Sequence, residues 1–157
     1  MDNQTFPDKA GVIMFPPLLY ALVLIAGIAV SKFFPYHFIN LQLALPLGIF
    51  ILAAGFVNLF RAARIFVQKK NPINPAASTK LIINMGIYKY TRNPMYLSFA
   101  IMYTGISILT NSWCSLLLLF PLLVLVQKGI IEREEQYLTR KFGAEYLAYK
   151  SKVRRWI

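Results

Sequence analysis

Between Lys9 and Ile131 the sequence holds no Asp or Glu, and then Glu132, Glu134 and Glu135 arrive together. Grouped carboxylates facing an otherwise cationic surface are suited to pairing with an arginine or to holding a cationic ligand. Arg92 is such a partner. It stands in Thr91-Arg92-Asn93-Pro94-Met95-Tyr96, where Asn93 suits a helix N-cap and Pro94 the first helical turn. A helix N-terminus exposes N–H groups, so this mouth, with Arg92 beside it, suits a carboxylate. Tyr88, Tyr90 and Tyr96 put aromatic surface nearby. A plainer reading stands beside this one, with Arg92 at lipid headgroups, the tyrosines in an aromatic belt and Glu132 to Gln136 on a solvated helix face. One cysteine, Cys114, excludes an intrachain disulfide and a Cys-based zinc site. One histidine, His37, lies in a linker between apolar runs, where it reads as an interfacial side chain.

The elements that must position these groups are membrane helices. The chain has 157 residues, 57% of them hydrophobic, with 17 Lys+Arg against 6 Asp+Glu and a formal net charge of +11. Its mean hydropathy is +0.53. Such a composition excludes a disordered chain and fits a soluble domain poorly. Gly11–Ser31 and Ile39–Phe60 carry no charge, and each is long enough to cross a hydrocarbon core of about 30 Å. The uncharged run Met95–Val126 is too long for one ordinary span, and Thr110-Asn111-Ser112 is a polar cluster that can turn a hairpin. Positive charge decides in favour of the hairpin, because Lys and Arg near membrane ends stay cytoplasmic. Arg61–Pro94 carries seven cations and no acid, and Lys128–Ile157 carries eight cations; a hairpin puts both on one side.

The expected fold is therefore all-α, an integral membrane helical bundle forming a single domain over 1–157. Its spans fall at about 11–31, 39–60, 95–110 and 113–131, with a cytosolic helix extending the last span and both termini inside. The first apolar run lacks a basic n-region and a small-residue cleavage site, so it is expected to be retained, and the tail carrying Asp2, Asp8 and Lys9 gives the orientation no help. The basic residues flank apolar spans and do not interleave with aromatics on a soluble domain, so the partners are membrane lipids and not nucleic acid. Two segments are expected on the cytosolic side, the loop 61–94, with the turn-rich Asn71-Pro72-Ile73-Asn74-Pro75, and the C-terminal 132–157. The basic, aromatic end of the latter is expected to lie back on the membrane surface.

The stretches KLIINMGIYKYTRNPMYLSF, Lys80 to Phe99, and EREEQYLTRKFGAEYLAYKSKVRRWI, Glu132 to Ile157, resemble the isoprenylcysteine carboxyl methyltransferase family and its phospholipid N-methyltransferase relatives. The likeness lies in a Gly-x-Tyr, an Arg-His/Asn-Pro-x-Tyr and a Glu-Glu-x-x-Leu-x-x-x-Phe-Gly-x-x-Tyr-x-x-Tyr, in that order. It implies a membrane methyltransferase using S-adenosyl-L-methionine, the cofactor held in a cytosol-facing pocket and the lipophilic acceptor entering from the bilayer. Carried over by position, cofactor contacts fall on Lys80, Leu81, Ile82, Ile83, Tyr88, Asn93, Pro94, Met95, Tyr96 and Glu134. Arg92, Tyr96 and Glu135 are the expected catalytic residues, and no metal is implied. The implied acceptor is a prenylcysteine-like carboxylate or a phospholipid amine, and an amine would have to arrive neutral or lose its proton to a residue such as Glu135 or Tyr96.

Two departures bear on the acceptor. Asn93 stands where the eukaryotic enzymes have His, and Ile130 stands where they have a substrate-side Arg, which leaves Lys128 or Arg133 as replacements. The chain resembles a reduced, prokaryote-like form, which implies the inner membrane. A sterol-reductase-like enzyme using NADPH is the alternative, because such reductases resemble the same helical core. A small transporter without catalysis is a third reading, against which stands the lack of a carboxylate in the spans.

Overall fold

The computed structural model describes residues 8–75 and 77–157, so Asp2 lies outside the described residues. The helices are α1 Pro16–Ser31, α2 Leu41–Gln68, α3 Pro94–Leu109, α4 Trp113–Val126, α5 Glu132–Phe142 and α6 Ala144–Lys152. A 3-10 turn, Gly86–Lys89, precedes α3, and a π-helical turn, Gln127–Ile131, joins α4 to α5. Trp113–Phe142 is thereby one continuous run of 30 residues. No β-sheet forms among the described residues, and the all-α class read from the sequence is what the chain adopts. The helix α2 and the run Trp113–Phe142 are long and apolar enough to cross a membrane, whereas α1 and α3 are shorter apolar helices.

Two boundaries differ from the sequence expectation. Helix α1 starts at Pro16 and not at Gly11, because Pro16 and Pro17 lack an N–H and fit only the first turn. Its 16 residues rise about 24 Å at 1.5 Å each. Helix α2 runs past Phe60 to Gln68, since no breaker intervenes, and so carries Arg61 and Arg64 on its last turns. The true loop before α3 is shorter than the uncharged-run reading suggested.

Helix α2 packs along α3, and α1 along α4. Small residues allow the first contact: a Cβ on Gly105 would meet the Leu52 backbone nitrogen at 2.8 Å, and one on Gly55 the Met102 nitrogen at 3.0 Å. The turn between α3 and α4 falls on Thr110-Asn111-Ser112, as the polar cluster implied. Asn111 sits at φ 52. Its side chain accepts from the Phe38 N–H at 3.1 Å and donates to the Ile39 carbonyl at 2.7 Å. The core gathers Tyr20, Tyr103, Leu122, Val126, Ile130 and Ile131. His37 is exposed between α1 and α2.

The C-terminal tail folds onto the mouth of α3. The Arg92 N–H donates to the Arg154 carbonyl at 3.0 Å, and Thr91 Oγ1 and Asn93 Nδ2 donate to the Arg155 carbonyl at 3.2 and 2.9 Å. Trp156 Nε1 donates to Gln127 Oε1 at 3.0 Å. The cause is local: the Arg92 N–H and the side chains of Thr91 and Asn93 need acceptors, and the tail has both carbonyls and a cation for the glutamates of α5.

Candidate active site

One pocket opens where α3, the loop after α2, the start of α1 and the helices α5 and α6 meet, with about 1110 Å³ of free space including its mouth. Leu81, Ile82, Ile83, Tyr88, Arg92, Asn93, Pro94, Met95, Tyr96, Glu134 and Glu135 all line it, as the motif carry-over placed them. Lys80 does not: its side chain is exposed. Residues that sequence reasoning passed over also line the wall, among them Asn71, Tyr137, Tyr146, Tyr149 and Phe15 to Pro17. The two C-terminal tyrosines stood in the quoted motif, and the paired Asn-Pro turns flagged Asn71. Nothing in the sequence pointed to the segment leading into α1.

Each wall has an identifiable support. The buried Asn71 side chain clasps the next stretch of loop, its Oδ1 accepting the Lys80 N–H at 2.8 Å and its Nδ2 donating to the Leu81 carbonyl at 3.1 Å. Tyr88 is buried against Phe66, ring centroids 5.4 Å apart, and Tyr149 Oη donates to its carbonyl at 2.8 Å. Asn58 of α2 holds the first turn of α3, donating to Ser98 Oγ at 2.8 Å and to the Pro94 carbonyl at 3.3 Å. Asn93 occupies the N-cap position, but its side chain does not cap the helix; it reaches the tail. Asp8 ties the segment before α1 across the pocket, accepting from Tyr137 Oη at 2.8 Å and from Lys141 Nζ and Ser78 Oγ at 2.5 Å.

The two glutamates divide. Glu135 is buried and accepts from Arg92 at 2.7 Å and from the Arg155 Nε and NH2 at 3.0 and 2.9 Å, with Lys150 Nζ at 3.3 Å. Burial opposes its ionisation, but the hydrogen bonds and charges of Arg155 and Arg92 outweigh that and hold the carboxyl at about 2. Glu134 pairs with none of these cations, and its Oε1 accepts from Tyr96 Oη at 2.6 Å. Burial, helped by the charge of Glu135 and opposed by the Tyr96 hydrogen bond, pushes its carboxyl up to about 7.

Arg92 is 9% exposed and nearly saturated. It donates to the carbonyls of Lys150 and Val153 and to Glu135, yet its buried Nε has no partner among the described residues. Neither proposed substitute for the missing substrate-side arginine reaches the pocket. Ile130 is fully buried in the core, Lys128 is exposed, and Arg133 donates to the Gly11 carbonyl at 2.9 Å. The described residues include no cluster of ligands for a metal ion. A ligand with a cationic centre for Glu134 and a flat ring for the aromatic walls suits this lining.

Comparison with known proteins agrees with the quoted motifs. Residues 43–145 match the family model for phospholipid methyltransferase. The chain is 34% identical over 76 residues to the protein-S-isoprenylcysteine O-methyltransferase of Saccharomyces cerevisiae, covering 48% of this chain and 32% of that enzyme. It is 37% identical over 73 residues to the enzyme of the same name from Schizosaccharomyces pombe, covering 46% and 31%. A third relative is an uncharacterized protein of Haemophilus influenzae, 36% identical over 63 residues, 40% of this chain and 100% of that one. The matched stretches thus span about a third of the length of the two yeast enzymes. No solved structure gives a significant match. With the family model covering well over half of the chain, the chain belongs to the phospholipid methyltransferase family.

Proposed function

We propose that the chain is a membrane methyltransferase that takes S-adenosyl-L-methionine into this pocket and methylates a lipophilic acceptor arriving from the bilayer. One observation carries the reading: Glu134, a carboxylate without a cation, and Arg92, whose buried Nε has no acceptor among the described residues, both belong to the lining of one aromatic pocket. A carboxylate with no cation beside it and a guanidinium N–H with no acceptor fit a zwitterionic amino acid carrying a sulfonium. When bound, the cofactor supplies an electrophilic methyl group for in-line displacement. The protein's part is to align and to exclude water.

Arg92 Nε and the first N–H groups of α3 would receive the carboxylate, and Glu134 would face the cationic end. Leu81 to Ile83, Met95 and the rings of Tyr88 and Tyr146 would enclose the nucleoside. Glu135, neutralised by its cations, fixes Arg92 and does not serve as a base, so Glu134 and not Glu135 is the residue able to take a proton near neutral pH.

An amine acceptor fits better than a carboxylate. Arg92 is the one cation among the described residues lining the pocket; its Nη2 is taken by Glu135 and its Nη1 by the Lys150 and Val153 carbonyls, and the cofactor carboxylate would take the Nε. A second carboxylate would meet Glu134 and no free cation, whereas an ammonium would be drawn to Glu134. The same shortage of cations disfavours NADPH, whose phosphates need them.

The four-span reading belongs here too. Helices α1 and α3 would cross beside α2 and α4 as members of one bundle, with both termini and the pocket in the cytoplasm of a prokaryotic inner membrane. The test is transfer from methyl-labelled cofactor to an aminophospholipid and to an S-prenylcysteine, in liposomes. Label that survives base treatment is N-methyl and supports the amine reading; base-labile label is ester and reverses it.

A further inference from the structure

Arg155 lies in the tail, outside every motif residue that lines the pocket, yet it joins the site's parts. Its guanidinium forks onto both oxygens of Glu135, at 3.0 and 2.9 Å, and reaches Glu132 at 3.2 Å. Its carbonyl accepts from Thr91 and Asn93 at the mouth of α3. Glu132 and Glu135 are one turn apart on α5, so a single side chain grips that helix at two points on one face. The grip comes directly after the π-helical turn Gln127–Ile131, whose i→i+5 pattern sets the angle at which the following helix emerges. Consecutive helical residues point about 100° apart, so the angle that puts Glu135 onto Arg155 puts Glu134 against Tyr96.

We infer that Arg155 is a positioning residue: by gripping Glu132 and Glu135 it fixes the rotation of α5 beyond the π turn and so aims Glu134 into the pocket. This rests on the reading of Glu134 as the cofactor's anionic partner. The groups facing Glu134 are Tyr96 of α3, Tyr88 of the 3-10 turn, Tyr146 of α6 and Glu135 on its own helix. None is a cation, so loss of aim has no ready substitute.

The experiment compares Arg155→Lys and Arg155→Gln with the unaltered protein and with Glu132→Lys, which breaks one grip point only. Lysine keeps the charge while losing the fork. Two readouts are taken: affinity for S-adenosylmethionine by calorimetry, and the protonation midpoint of Glu134 by the infrared carboxyl band absent from Glu134→Gln. The expected result is at least fivefold weaker binding in Arg155→Lys, a larger loss in Arg155→Gln, and a Glu134 midpoint displaced in both. An unmoved midpoint in folded Arg155→Lys overturns the inference. Should the unaltered protein fail to bind the cofactor, the function proposed above falls while the infrared midpoint still decides the role of Arg155.

Discussion

Glu134 and Glu135 are adjacent on α5, and they hold opposite charge environments: Glu135 meets Arg92, Arg155 and Lys150 within 3.3 Å, and Glu134 meets the Tyr96 hydroxyl at 2.6 Å. One is a structural anion whose charge is satisfied inside the protein. The other has no cation beside it among the described residues, and burial pushes its carboxyl up to about 7.

The first prediction concerns Glu134 and pH. Its folded pKa of about 7 lies above the ordinary 4.5, so its contribution to stability is full below 4.5 and is lost as pH rises through about 7. Glu134→Gln is therefore expected to stabilise the ligand-free protein at pH 8, on the order of 2 kcal/mol. The same substitution weakens cofactor binding about tenfold, near 1.4 kcal/mol. Binding to the unaltered protein strengthens as pH rises through about 7, and in Glu134→Gln that dependence flattens. Thermal melts and titrations at pH 6 and pH 8 check both halves.

Glu135→Gln acts in the reverse sense. The depressed pKa, about 2, gives stability that is present above 4.5 and lost as pH falls through about 2. Removing the carboxylate leaves Arg92 buried without its ion pair, a loss of about 3–5 kcal/mol in denaturant unfolding. Glu135→Gln melting as high as the unaltered protein would show the cluster to be dispensable.

Asn71→Leu keeps the volume and removes the clasp on Lys80 and Leu81. Two part-buried backbone groups lose their partners at about 1 kcal/mol each. Cofactor affinity is expected to fall severalfold with the apolar packing of the helices intact, which protease cleavage confined to 69–85 would report.

The pocket was legible in the sequence because its polar end comes from two contiguous motifs, Arg92 to Tyr96 and Glu134 to Tyr149, each beside an uncharged run. The hairpin at Asn111 was legible for a similar reason, since a polar cluster inside an apolar run has to be a turn. What could not be read was long-range pairing. The clasp of Asn71, the strap from Asp8 to Tyr137 and the docking of Arg154 to Trp156 join residues whose types are common at any surface. The start of α1 was misplaced because hydropathy counts charges and is blind to where Pro16 and Pro17 allow a helix to begin.

The topology prediction is independent of the chemistry. Tags at the two termini are both expected to be protected in sealed, inside-in spheroplasts and to be labelled after permeabilisation. Labelling of one tag without permeabilisation contradicts the four-span arrangement.

Calorimetric titration of the detergent-purified protein with S-adenosylmethionine, S-adenosylhomocysteine and NADPH decides which cofactor the pocket takes. Saturable binding of the first two, lost in Glu134→Gln for the first, is the predicted result. Binding of NADPH without either adenosyl compound would contradict it, leaving the pocket correctly located and its chemistry wrongly assigned.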